Sequence, residues 1–176
     1  MSSLIITVVG PDRPGLVSAL ADRAAEHGAN WTDSIMANFA GQFAGIVQLD
    51  VADERCEALT AALRGLEMDH LRIQIASTHG AAPAAATCRL QLDLVGQDRP
   101  GIIHGISSQL ARHSVSIDKL QTYVASGAMS GEQMFHMSAQ LTVPTVLDTD
   151  TLRAGLEGLA NELMVDINFD SGAVRA

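Results

Sequence analysis

The stretch Val9-Gly10-Pro11-Asp12-Arg13-Pro14-Gly15 returns 86 residues later as Val95-Gly96-Gln97-Asp98-Arg99-Pro100-Gly101, with only the Pro11/Gln97 position changed. The flanks follow at the same displacement. Leu4, Ile6 and Val8 answer to Leu90, Leu92 and Leu94. Leu16, Val17 and Leu20 answer to Ile102, Ile103 and Ile106, and His27 to His113. Solenoid repeats recur every 20–50 residues, roughly. A displacement near half of the 176-residue chain instead marks duplication of a whole domain. Whatever one copy folds into, the chain must build twice. Between the copies lies a small-residue, Gly- and Pro-punctuated stretch, which reads as a linker over residues 79–86. It separates a first domain, residues 1–78, from a second, residues 87–176, and its shortness is expected to keep them close together.

Each copy changes its hydrophobic period in the same order. Leu4, Ile6 and Val8 alternate with other residues, as a strand does, and from Pro14 the spacing becomes helical through Leu16, Val17, Leu20, Ala21 and Ala24. The helix ends near His27-Gly28, a common C-terminal signal. A strand over Asn30 to Phe39, a tight turn at Ala40-Gly41 and an alternating strand through Val47, Leu49 and Val51 follow. Asp53-Glu54 opens a second helix with Leu59, Ala62, Leu63 and Leu66 at helical spacing, and Leu71, Ile73 and Ile75 form a last strand. The second copy repeats this through Leu90–Leu94, Pro100–His113, Val115–Ala125, Phe135–Val143, Leu152–Leu159 and Val165–Phe169, with a longer loop at Ser126 to Gly131. Clean alternation implies sheets with one buried and one wetter face, hence antiparallel pairing with helices on one side. The fold class is α+β: two ferredoxin-like βαββαβ domains. Each copy of about 80 residues has a modest core, so docking of the copies, or a homodimer, is expected to add burial.

Composition excludes several function classes. The formal charge is −9, with five Arg against ten acids up to Gly80 and six basic residues against ten acids beyond it. Neither half has a run of Lys or Arg, so direct nucleic-acid binding would have to proceed against phosphate repulsion. Cys56 and Cys88 make neither a disulfide framework nor a metal knuckle, and the six histidines show no ligand spacing. No metal and no cofactor is expected. Nothing approaches a membrane span of about 18 apolar residues, and Met1 to Val9 lacks the basic leader of an export signal. The expectation is a cytoplasmic protein.

The Gly-x-Asp-Arg-Pro-Gly turn carries the chemistry. It joins the first strand to the first helix, whose initial N–H groups lack partners and favour an anion such as an α-carboxylate. Pro14 suits the first helical turn, and Asp12 is placed to cap the helix or to meet an ammonium group. Gly10 and Gly15 let a ligand or a neighbouring chain approach the backbone. In a helical first turn Ala should be better than Gly by up to ~1 kcal/mol, so glycine at 15 and again at 101 calls for a reason beyond local stability. A good strand-to-helix turn would account for one occurrence; near-verbatim recurrence in a diverged duplicate favours a shared functional constraint.

With these residues in view, the chain resembles the ACT domain in its βαββαβ order, its DRPG turn and the Gly28-Ala29-Asn30 segment opening the second strand. The resemblance covers nearly the whole chain. A tandem pair with no attached enzyme is similar to the ACT proteins of the glycine cleavage system transcriptional repressor group. That resemblance implies a regulatory module for a small amino acid, with ligands at interfaces between paired domains. It implicates Gly10, Asp12, Arg13 and Gly15, with Gly96, Asp98, Arg99 and Gly101 in the second copy, and at the start of the second strand Asn30, Ser116 and Asp118. Some serine-binding relatives carry Asn where this chain has Asp12 and Asp98, so glycine and serine both stay open as ligands.

Other motifs do not carry through. Gly10 to Gly15 has phosphate-loop glycine spacing, but Leu16-Val17 stands where Lys-Ser/Thr is needed. Asp148-Thr149-Asp150-Thr151 resembles paired phosphatase aspartates in spacing only, and opens a helix where capping explains it. No nucleophile elbow or acid–base pair is evident. Trp31 reads as packing, and Met129, Met134 and Met137 as core or loop filler. The expected function is a non-enzymatic sensor acting through protein contact, modulating a transcription factor of glycine or one-carbon metabolism. The alternative is a regulatory subunit acting in trans on an amino-acid metabolic enzyme.

Overall fold

The computed structural model describes residues 1–78, 86–127 and 131–170, so most of the linker, part of the longer loop of the second copy, Met129 and the last six residues lie outside it. The chain divides into two compact units, Met1–Ala82 and Pro83–Ala176. In the first, β1 (Ser2–Pro11), α1 (Leu16–Glu26), β2 (Asn30–Phe39), β3 (Gln42–Val51), α2 (Asp53–Arg64) and β4 (Arg72–Thr78) follow in order, with a 3-10 turn at Gly65–Asp69. The second repeats them as β5 (Thr87–Gln97), α3 (Ile102–Arg112), β6 (Ser116–Ser126), β7 (Gln133–Pro144), α4 (Thr149–Leu163) and β8 (Val165–Asp170). The sheets run β2-β3-β1-β4 and β6-β7-β5-β8, all antiparallel. Each helix therefore bridges strands that are not neighbours, the split βαβ arrangement.

Period-two and period-3.6 patterns meet at one layer. Leu4, Ile6 and Val8 turn to the helices, and Leu16, Leu20 and Ala24 on α1 and Leu59 and Leu63 on α2 close over them. Leu92, Leu94, Ile106, Leu110, Leu152 and Leu156 build the matching core of the second unit. Trp31 packs against the first core, beside Ile6, Leu20, Val47, Leu49 and Leu63. Met137 is buried and Met134 half-buried. The β2–β3 turn places both Ala40 (φ 50°) and Gly41 (φ 78°) at positive φ, as a type I′ hairpin turn needs. No helix among the described residues is long and apolar enough to cross a membrane.

Of the two aspartates at the start of α4, Asp148 caps it. The Asp148 side chain accepts from the Asp150 N–H (3.1 Å) and from Thr151 Oγ1 (2.7 Å). These bonds, the Thr151 hydroxyl foremost, hold its carboxyl below the ordinary value of 3.8. A depressed carboxylate contributes stability that is present above its unfolded pKa and is lost as pH falls through the folded one. Asp148→Asn keeps a capping oxygen but cannot titrate. Its melting temperature should therefore decline less steeply than the parent's between about pH 5 and pH 2. Parallel acid limbs in thermal melts of the two proteins would show that the cap does not titrate with folding.

Candidate functional site

The DRPG turn folds differently from the helical start that its spacing suggests. α1 begins at Leu16, and Gly15 is its N-cap at φ 91°, ψ −1°; Gly101 holds the same place before α3 at φ 100°, ψ −10°. These angles match the third residue of a type II turn, which needs positive φ and commonly follows proline. Pro14-Gly15 and Pro100-Gly101 are thus turn residues ahead of the helix, not its first turn. Helix propensity has no hold there, and the argument that alanine should be preferred falls. An added Cβ at either glycine meets nothing within 4 Å, so within the chain it is the backbone angle, and not crowding, that calls for glycine.

Close approach belongs to Gly10 and Gly96, and what approaches is the protein itself. A Cβ on Gly10 would stand 2.8 Å from the His70 carbonyl oxygen and 2.9 Å from Leu71 Cδ2. On Gly96 it would run into Val165, 3.0 Å from its Cα. The corner leading into β4, and its counterpart before β8, sits where a side chain would be.

Asp12 does not cap α1, for no side chain caps either α1 or α3. Its N–H donates to the Gly41 carbonyl (2.9 Å), and Asn38 Nδ2 donates to its carboxylate. The turn is therefore tied to the β2–β3 hairpin tip. In the second unit the Asp98 N–H donates equally to the Gln133 carbonyl (2.8 Å). Val124 takes Asn38's place, since each pairs with the phenylalanine (135 or 43) that pairs with the motif glycine. The Asp98 carboxylate is left without a partner among the described residues. Arg99 Nη2 donates to Gln97 Oε1 (3.0 Å), and Arg13 is exposed.

The two halves of the expected site lie apart within a unit. β1 and β2 both run antiparallel to β3, so both start at the same end of the sheet. Asn30 pairs through Asp50 with Ser3, whereas the turn follows Pro11. At ~3.3 Å per residue the separation along the strand is roughly 26 Å. Ser116 pairs through Thr142 with Arg89, equally far from Gln97. Asp118 falls in a break of register between Ile117 and Lys119, where its carboxylate accepts from Thr142 Oγ1. Thr32 occupies the same break between Trp31 and Asp33. One unit brings Gly10, Asp12, Arg13 and Gly15 together and leaves Asn30 at the other end.

Beside the turn, a cavity of about 360 Å³ is lined by Val9, Gly10, Pro11, Gln42, His70 and Arg72. The polar three were not foreseen from sequence. Arg72 lies opposite Val9 across β1·β4 and Gln42 opposite Pro11 across β1·β3, on the sheet face turned away from the helices. Among the described residues no polar or charged side chain is buried, and no group of three or more His, Cys, Asp or Glu could hold a metal ion.

Residues 2–75 match the ACT domain model. A stretch of 83 residues is 30% identical to a UPF0237 protein of Streptococcus mutans, covering 47% of this chain and 88% of that protein. The chain thus carries an ACT domain over residues 2–75. As a tandem protein, it is 24% identical over 163 residues to the glycine cleavage system transcriptional repressor of Escherichia coli K12, covering 91% of this chain and 85% of the relative. A crystal structure of an unknown protein from Galdieria sulphuraria superposes with a TM-score of 0.85 at 25% identity, covering 96% of this chain and 97% of that one.

The positive-φ glycines lead to a test. Gly15→Ala and Gly101→Ala force a Cβ into the left-handed region at about 1–2 kcal/mol each, with no helix-propensity gain to offset it. Urea titration should show both variants destabilised by that amount, with Asn at either position less costly than Ala. A stability equal to the parent's would restore the helical reading of the turn.

Proposed function

We propose that this ACT-domain protein is a non-enzymatic cytoplasmic regulator that binds a small amino acid, glycine or serine, beside the strand-to-helix turn. It acts through protein–protein contact on a transcription factor of glycine or one-carbon metabolism. The observation that carries the reading is the match to the glycine cleavage system transcriptional repressor over 91% of this chain. That extent leaves no room for a separate catalytic domain among the aligned residues. The turn supports it chemically. α1 and α3 begin with neither a side-chain cap nor an acid in the first turn, so their leading N–H groups are available to an anion. Gly10, Asp12, Arg13 and Gly15, with Gly96, Asp98, Arg99 and Gly101, surround those starts. Asn30, Ser116 and Asp118 enter such a site only where a homodimer or the paired domain brings the far end of another sheet to the turn. A charge of −9 directs the regulator to a protein and not to DNA.

Thermal melts against the twenty amino acids test the ligand. A ligand selective for the folded state adds about 2.7 kcal/mol at roughly 100 times its Kd, and glycine or serine should give the largest shift. Affinity purification of the tagged protein should recover a DNA-binding protein, while the protein alone should leave duplex DNA unshifted at physiological salt. Recovery of a metabolic enzyme in its place would favour a subunit acting in trans. Salt-dependent DNA binding by the protein alone, or melts indifferent to every amino acid, would overturn the proposal.

A further inference from the structure

The two copies keep the same backbone around the motif turn but not the same chemistry, and the difference falls on the cavity beside it. In the first unit Gly10 lets the corner before β4 close onto the turn, setting His70 and Arg72 next to it. Gly96 does the same for the corner before β8. The corner residue adopts positive φ in both, His70 at 65° and Met164 at 53°. The register then gives each lining residue its counterpart. Asp166 lies opposite Val95 as Arg72 lies opposite Val9, and Met134 lies opposite Gln97 as Gln42 lies opposite Pro11. Guanidinium, imidazole and carboxamide are thus replaced by a carboxylate and two thioethers.

In the first unit every one of these three side chains can donate a hydrogen bond. Arg72 makes no hydrogen bond or ion pair among the described residues, so its planar fork is unspent. Its geometry suits a carboxylate, which it can hold by two parallel bonds. A volume of about 360 Å³ admits a molecule of a few heavy atoms and lies at the small end of ligand sites. In a chain of net charge −9, such a cationic recess is a local exception. In the second unit Asp166 would repel the same ligand, and neither methionine can donate to it.

We propose that the cavity of Gln42, His70 and Arg72 is a binding site for a small carboxylate, and that the second unit has lost it. This rests on the amino-acid-sensing reading for the identity of the ligand, but not for its chemical class.

Backbone amide NMR of the full chain, titrated separately with glycine, L-serine and acetate, locates binding directly. Shifts should gather at Val9, Gly10, Gln42, His70 and Arg72 and leave Val95, Gly96, Met134, Met164 and Asp166 still. Arg72→Gln should weaken binding by about tenfold or more, with amide dispersion reporting that the fold is intact. Should that variant not fold, Met164→His with Asp166→Arg in the second unit should create a second set of shifts there. Shifts from acetate alone would support the carboxylate site while removing the amino-acid sensor. Amino-acid binding that is unchanged by Arg72→Gln, or centred on the second unit, would overturn this site and leave the sensor standing. No shifts with any of the three would end both.

Discussion

Everything near the motif turn depends on one crowding constraint: the central strand of each sheet must end against the corner that opens its neighbour. β1 lies between β3 and β4, so as it leaves the sheet it has a hairpin tip on one side and the corner before β4 on the other. Gly10 admits the His70 carbonyl and Leu71 at distances no Cβ tolerates, and Gly96 admits Val165. The Asp12 and Asp98 amides fasten the other side to the hairpin tips. Pro14-Gly15 then reverses the chain over the sheet so that Leu16 and Leu20 enter the core. Together these features aim α1. The motif is kept in both copies first as a hinge of defined backbone angle, and any ligand contact is added to that role.

How much of this was legible in the sequence depends on the range of the interaction. Alternation at Leu4, Ile6 and Val8 and helical spacing at Leu16, Leu20 and Ala24 are local, and such patterns located the α-helices and most strands, while the 3-10 turn at Gly65–Asp69 was taken, through Leu66, for more of the second helix. Asp148 as a cap was local too. Gly15 was misread because propensity was applied to a residue that lies outside the helix; the preceding proline suits a type II turn as well as a helical first turn, and only φ separates them. Gly10 was read as a point of close approach, but not to what, since its neighbours His70 and Leu71 come from the far end of the domain. Grouping Asn30 with the turn came from family resemblance. Within one unit the topology separates them: two strands antiparallel to a common third start at one end, and the turn lies at the other. His70 and Arg72 had a faint signal, in that an Arg at an outward strand position in one copy faces an Asp in the other, but only the register makes them comparable.

The duplicates also diverged on their open sheet faces. In the first unit Ile35 and Phe39 on β2 and Ile46 on β3 are 63%, 78% and 51% exposed. In the second, Tyr123 stacks on His136 at 4.6 Å, with Gln121, Ser138 and Gln140 further along the same face. The inward positions tell the opposite story: Leu4/Leu90 is unchanged, and Ile6/Leu92 and Leu20/Ile106 exchange one aliphatic residue for another of the same volume class. Positions that set packing and backbone angle were held, while positions that meet solvent or a partner were free to change.

Asymmetry of this kind restricts how such a protein can signal. A ligand shifts a conformational equilibrium only by its difference in affinity for the two states. Two equivalent sites in one chain would allow each to sharpen the response of the other, and that coupling would be reciprocal. With the proposed carboxylate site confined to one unit, a single chain would give a single-site response. Steepness in such a response would have to come from assembly of several chains, because one chain alone would not contain the repeated site that supplies it.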